Sequence, residues 1–152
     1  MLMIAEFDPV HPERLISEPK CLSRPLYGFE NTEHTINNEG PYAFYYHNKI
    51  YLAYSGGDAR GYLYAIGMLT ANDGDDLCDL SVWEKAKTPI ASFATIPGEY
   101  GPGHNSFFWD RDQNLWIAYH AVTSFEEKIV SSGMRRVYFE QDKTPRFDVI
   151  VE

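Results

Sequence analysis

Apolar and aromatic residues fall along this chain in short runs, separated by clusters of Gly, Pro, Asn and Asp, which is the pattern of strands joined by turns. Residues 42–46 and 50–55 are rich in aromatic and β-branched side chains and flank His47-Asn48-Lys49, so they predict a hairpin. Gly56-Gly57-Asp58 closes the second run, residues 62–69 predict a third strand, and residues 83–85 a short fourth. Together these make one four-stranded sheet. A second set follows the same plan: residues 104–109, a turn at Asp110-Arg111-Asp112-Gln113-Asn114, and a return through residues 115–121. Residues 136–140 and 147–150 predict a closing hairpin around Lys143-Thr144-Pro145. Ahead of both sets, residues 1–6 and 14–22 predict two further strands, parted by Pro9 and Pro12. The nearest approach to a helical period, residues 75–87, is broken and reads as a loop with one turn. The expected fold is all-β.

The two sets are copies of one unit. Gly40-Pro41 leads to Ile50-Tyr51-Leu52-Ala53-Tyr54-Ser55, and Gly101-Pro102 leads to Leu115-Trp116-Ile117-Ala118-Tyr119-His120. A period of roughly sixty residues is too long for a helical-hairpin repeat and suits a large four-stranded blade of a β-propeller. On this reading the chain is a single partial domain, residues 1–152, of about two and a half blades. Residues 1–30 are the remnant of an earlier blade, 38–90 are one blade, and 100–152 are the last. Since a propeller ring needs at least four blades to close, the chain reads as part of a larger protein.

Composition narrows the function. At 152 residues, with 44% apolar and 15% aromatic content, the chain can bury a core of its own. A formal charge of −9 repels polyanions and argues against nucleic acid as a partner. No apolar run approaches the roughly 18 residues that would cross a bilayer, so no membrane role is expected. Met1-Leu2-Met3-Ile4-Ala5 is cut short by Glu6 and Asp8 before a secretory core could form, which gives a cytoplasmic expectation. Cys21 and Cys78 have no metal-ligand spacing and read as reduced thiols. Asp73, Asp75, Asp76 and Asp79 suggest a calcium loop, but Leu77 and Cys78 stand where such a loop needs an oxygen ligand and glycine, so the cluster reads as a solvated turn.

Five segments, in order, carry a resemblance: Asn38-Glu39-Gly40-Pro41, Gly67-Met68-Leu69-Thr70-Ala71, Asp76-Leu77 with Ser81-Val82-Trp83-Glu84-Lys85, Tyr100-Gly101-Pro102-Gly103-His104-Asn105-Ser106-Phe107, and Trp116-Ile117-Ala118-Tyr119-His120-Ala121. Together they resemble family 43 of the glycoside hydrolases, especially its arabinofuranosidase-like members. The resemblance implies a five-bladed propeller with its active site at one end of the central channel, and carbohydrate as the partner, drawn from arabinose- or xylose-containing polysaccharides and their oligomers. It implies Glu39 as general acid. It implies that His104 points into the channel beside water and, through that water, a calcium ion; a single histidine cannot by itself make a metal site, and no other cofactor is expected. Asn105 lies in the same stretch and is expected to contact substrate. An arginine of the last blade is implied to touch the sugar, and Arg135 and Arg136 both qualify. Tyr54, with Tyr27, Phe29 and Trp109, is a candidate to stack on sugar rings, against the ordinary role of such residues in core packing.

Glycoside cleavage passes through an oxocarbenium-like state and needs an acid on the leaving oxygen together with a second carboxylate that activates water or attacks the sugar. The resemblance places that second carboxylate, and a third that tunes the acid, on aspartates of blades that come before residue 1. Asp8 sits in a Pro-rich connection and matches no catalytic motif. The expectation is a chain that carries the acid without the base and hydrolyses little alone. Its bare blade faces would pair in a two-fold homodimer or with the missing N-terminal half of the propeller. The alternative is a non-catalytic carbohydrate-binding or assembly module.

Overall fold

A computed structural model of the chain describes residues 1–124, 126 and 129–147. The first sheet pairs β1 (Leu2–Ile4) with β2 (Lys20–Ser23). A small hairpin of β3 (Asn31–Thr32) and β4 (Thr35–Ile36) comes next. Strands β5 (Asn38–Tyr46), β6 (Lys49–Gly56), β7 (Ala65–Asn72) and β8 (Glu84–Lys85) then form an antiparallel four-stranded sheet in sequential order. Strands β9 (Tyr100–Trp109), β10 (Leu115–Ser124) and β11 (Ile129–Arg136) form a three-stranded sheet in the order β11-β10-β9. A last hairpin pairs β12 (Tyr138–Phe139) with β13 (Pro145–Arg146). The architecture is all-β, part of a β-propeller.

The core lies between the two larger sheets. Strand β10 buries Leu115, Ile117, Tyr119 and Ala121 on one face, the period of two that a half-buried strand requires. These meet Phe44, Tyr51, Ala53, Ile66 and Met68 of the preceding sheet. Phe44 stacks on Tyr51 at 4.9 Å between ring centroids and lies 4.5 Å from Phe107, so the leading strands β5 and β9 face each other. Each such aromatic pair adds about 0.5–1.5 kcal/mol beyond the area it buries. A smaller cluster of Leu2, Tyr54 and Leu69 ties β1 to the four-stranded sheet.

Several predicted elements move. Of the strand expected over 14–22, only Lys20–Ser23 forms, with an isolated bridge from Phe7 to Leu15 upstream, because Pro12 and Pro19 cannot donate to a ladder. The strand expected over 62–69 runs instead from Ala65 to Asn72: the backbone N–H groups of Tyr62 and Leu63 donate to the Glu33 carboxylate at 3.1 and 3.2 Å, which holds them in a loop. The strand expected over 136–140 shortens to β12, which pairs with β13 at 145–146, and an unexpected strand, β11, takes the third place in its sheet. Its Ser131-Ser132-Gly133 centre lacks apolar alternation because this strand is a largely exposed edge. The β3–β4 hairpin went unpredicted because its two turn residues, Glu33 and His34, adopt left-handed φ of 51° and 67° without the Asn-Gly or Asp-Gly signature of such turns. Of the strand expected over 147–150, Phe147 is buried in the core and residues 148–150 lie outside the described residues.

Candidate active site

Glu39 stands near the start of β5, where the pairing with β6 slips between Glu39 and Tyr42. Gly40 sits in this bulge at φ +56°, a conformation that costs an L side chain strain, and a Cβ there would lie 3.5 Å from Nδ1 of His104. The His104 ring thus lies at van der Waals distance from the backbone next to Glu39, and it is the left-handed φ of Gly40, not lack of space, that favours glycine there. His104 itself has φ +50°, and its N–H donates to Oγ of Ser55 at 2.8 Å. The β9–β10 pairing breaks register on both sides of His120, so both histidines lie in an irregular stretch of the sheet. Two of the predicted residues, Glu39 and His104, are therefore brought together by bulges on facing strands.

Two residues complete the group without having been predicted. Tyr64 is fully buried and donates its hydroxyl to Oε1 of Glu39 at 2.6 Å. Its ring stacks on His120 with centroids 5.6 Å apart and planes 9° from parallel, and the His120 ring lies 6.4 Å from that of His104. Nε2 of His120 reaches the Ala59 carbonyl at 3.3 Å. Burial lowers the pKa of His120 below its ordinary value, and the nearby His104 adds to this, with the Ala59 carbonyl and Glu39 pulling the other way. Burial and the bond to Glu39 raise that of Tyr64. At neutral pH Tyr64 is therefore a phenol donor on a neutral imidazole platform. The repeat held a signal for His120, which occupies the place in the second copy that Ser55 holds in the first; nothing comparable marked Tyr64.

Behind Glu39 lies a buried polar knot. Asn38 donates through Nδ2 to Oε1 of Glu30 at 2.7 Å and accepts through Oδ1 from Oγ of Ser23 at 3.0 Å. Glu30 is wholly buried, and its other donors are the N–H groups of Leu26 and Tyr27 at 2.7 Å, the Tyr54 hydroxyl at 2.8 Å and the Lys85 ammonium at 2.5 Å. Burial alone would push this carboxyl up, yet the donors outweigh it and hold Glu30 below the usual carboxylate range.

The remaining expected contacts are placed elsewhere. Tyr54 is fully buried and committed to Glu30, so it presents no face to a sugar. Tyr27 and Phe29 stack on each other at 6.3 Å, with Phe29 6.5 Å from Tyr54. Trp109, 45% exposed, stacks 6.4 Å from Tyr46 on the far end of β9. Asn105 is 5% exposed, and neither of its amide atoms has a hydrogen-bond partner. Arg135 and Arg136 alternate across β11. Arg135 donates to Oε1 of Glu99 and to the Tyr119 hydroxyl, both at 2.7 Å, whereas Arg136 is exposed with its guanidinium 5.1 Å from the Tyr138 ring centroid. Tertiary packing thus commits Arg135 to an ion pair and leaves Arg136 in the open.

The donors at this site do not make a calcium cage. That ion takes six to eight oxygen ligands, and Glu39 offers one carboxylate, already accepting from Tyr64, beside two imidazoles. Among the described residues the one close grouping of three metal-ligand side chains is Glu6, Asp76 and Cys78, which does not include His104. The carboxylates that might have served as base are also occupied: Glu30 by Lys85, Glu33 by the backbone of Tyr62 and Leu63, and Glu99 by Arg135.

Comparison with known proteins bears on the family and the fold. An extracellular exo-α-(1→5)-L-arabinofuranosidase of Streptomyces avermitilis is 29% identical over 149 residues, covering 93% of this chain and 31% of that protein. The Streptomyces chartreusis enzyme of the same name is 38% identical over 101 residues, covering 66% of this chain and 30% of that protein. Among solved structures, the α-L-arabinofuranosidase of Lactobacillus brevis superposes with a TM-score of 0.81 at 29% identity, over 95% of this chain and 46% of that one. A thermostable family-43 glycoside hydrolase gives 0.76 at 26% identity with the same coverage. This chain therefore spans about a third of the length of these curated relatives and just under half of these solved chains. Both Streptomyces enzymes are extracellular, which overturns the cytoplasmic expectation. The short apolar run on which that expectation rested holds β1, Leu2–Ile4, so its length reflects a strand of the fold. The sequence pattern of glycosyl hydrolases family 43 matches residues 2–145, and the chain belongs to that family.

Proposed function

We propose that this chain is the acid-bearing part of a glycoside hydrolase that cleaves arabinofuranosyl or xylosyl linkages in plant-type polysaccharides and their oligomers. The observation that carries the reading is the placement of Glu39: a half-buried carboxyl on a β-bulge, held by one phenol donor and facing a histidine from the neighbouring blade. The similarity to arabinofuranosidases supports the substrate class. Glu39 protonates the leaving oxygen, His104 lines the sugar pocket, and exposed Arg136 is the better placed of the two arginines to reach substrate. The carboxylate that activates water belongs to the part of the ring that this chain does not include. Calcium near His104, if bound, would be held through water with ligands from that same part.

The test is release of nitrophenol from arabinofuranoside and xyloside substrates by the chain alone and by the chain combined with a polypeptide carrying the preceding blades of a relative. Turnover is expected only in the combination, and Glu39→Gln should lower kcat by about 10²- to 10⁴-fold. Turnover that survives Glu39→Gln would remove Glu39 as the acid. A second reading, an assembly module without turnover, is favoured by the exposure of Met1, Met3, Phe7, Val10, Leu15 and Ile16 around the first sheet. Binding of arabino-oligosaccharide without hydrolysis in every combination would support it.

A further inference from the structure

We infer that Tyr64 is a positioning residue for the general acid, and that it selects Oε2 of Glu39 as the atom that delivers the proton. The inference rests on the reading of Glu39 as acid and extends it to a residue to which no role has been assigned. Three observations converge. The Tyr64 hydroxyl donates to Oε1 of Glu39 at 2.6 Å, so that oxygen is already taken. The ring that carries the hydroxyl is closely packed: His120 stacks on it, and a Cβ at Gly103, the register partner of His120, would come within 2.0 Å of Cε1 of Tyr64. The loop that presents Tyr64 is itself held, since the Glu33 carboxylate accepts from the N–H groups of Tyr62 and Leu63 and His120 reaches Ala59 in the same loop.

The chemistry follows from which oxygen is free. In the resting acid the proton sits on Oε2 and Oε1 is the carbonyl oxygen that accepts from Tyr64. As the glycosidic C–O bond breaks, its electron pair goes to the departing oxygen, that oxygen takes the proton from Oε2 and leaves as an alcohol, and the anomeric carbon gains a bond to the oxygen of the water or carboxylate that the complementary blades supply. Glu39 becomes a carboxylate. The bond from Tyr64 then ends on an anion, and hydrogen bonds to ionised acceptors are shorter and about twice as strong as neutral ones. The contact therefore strengthens along the reaction and stabilises the transition state more than the ground state. His120, kept neutral, serves as a flat support for the phenol and does not compete for the proton.

Two measurements test this. With 13Cζ-labelled tyrosine, the Tyr64 resonance is identified by its loss in Tyr64→Phe; at pH 7 it is expected to move in Glu39→Gln while the other tyrosine resonances hold. A Tyr64 resonance unmoved by Glu39→Gln would overturn the bond, and this reading needs no turnover. In the combination of chain and complementary blades, Tyr64→Phe should lower kcat about 10- to 100-fold, with KM unchanged, on an arabinoside whose leaving group is a sugar. On a dinitrophenyl arabinoside, whose leaving group departs without protonation, the loss should be small. Gly103→Ala, which keeps the phenol but pushes its ring, and with it the hydroxyl, away from Oε1 of Glu39, should reproduce that split. An equal loss on both substrates would mean a merely structural role and overturn the inference. If the unsubstituted combination shows no turnover at all, the assignment of Glu39 as acid fails, and the inference fails with it even where the resonance moves.

Discussion

Glu30 holds a negative charge where no water reaches it, and it remains ionised because five donors surround it. Breaking such a pair leaves an uncompensated charge, so Lys85→Met should cost about 3–5 kcal/mol in urea unfolding. Replacing Glu30 together with Lys85 by apolar residues of similar volume should cost less than Lys85→Met alone. The folded pKa of Glu30 lies below 4.5, so its contribution is present above that pH and is lost as the medium is acidified through the folded value. His120 gives a second acid-sensitive contribution in a higher window. Its folded pKa lies below 6.5, so the unfolded chain takes up the proton first; the stabilisation is full above pH 6.5 and declines as pH falls through the folded value. Melting temperatures at pH 7 and pH 5 should differ less in His120→Phe than in the native chain. At this scale Glu39 and His104 were candidates from short motifs, and the structure brings them close together. Tyr64, His120 and Glu30 were not candidates, because a tyrosine or glutamate becomes a partner only through neighbours that the chain brings in from elsewhere: Tyr64 lies 25 residues from Glu39, and Lys85 lies 55 from Glu30.

At the scale of elements, the site is made by irregular strands. A regular β5 would pair Glu39 through Tyr42 in simple register with β6; the bulge at Gly40 turns the strand so that His104 packs on its backbone. Gly40→Ala should therefore lower stability by about 1–2 kcal/mol from backbone strain alone; unchanged denaturant midpoints would contradict this. Strand pairs with clear alternation, such as β6 and β10, were readable, and so was the turn at Asp110. There the carboxylate accepts from the side chains of Asn114 and Trp116 and from the N–H groups of Asn114 and Asp112, and these bonds hold it at about 2. Strand β11 was not readable, since an exposed edge carries polar residues on both faces and has no period to detect.

At the scale of the whole molecule, the unsatisfied surfaces govern behaviour. Exposed Met3, Leu15 and Ile16 near the first sheet, and Phe108, Ile129, Val130 and Met134 on the last, are too many apolar groups for a monomer to leave in water without consequence. Sedimentation at micromolar concentration is expected to show self-association of the isolated chain, and addition of the complementary blades should replace it with a one-to-one complex. A monodisperse monomer that ignores the complementary blades would contradict both. The sequence by itself determined the all-β class and the family, because alternation, turn chemistry and short motifs are local properties that survive without coordinates. Only the tertiary structure decided which side chains lie together, sending Tyr54 into a buried pair and Arg135 into a half-buried ion pair and bringing Tyr64 and His120 to Glu39. Those contacts depend on how one blade packs against the next, and packing joins residues by volume and hydrogen-bond geometry across separations that no local pattern records.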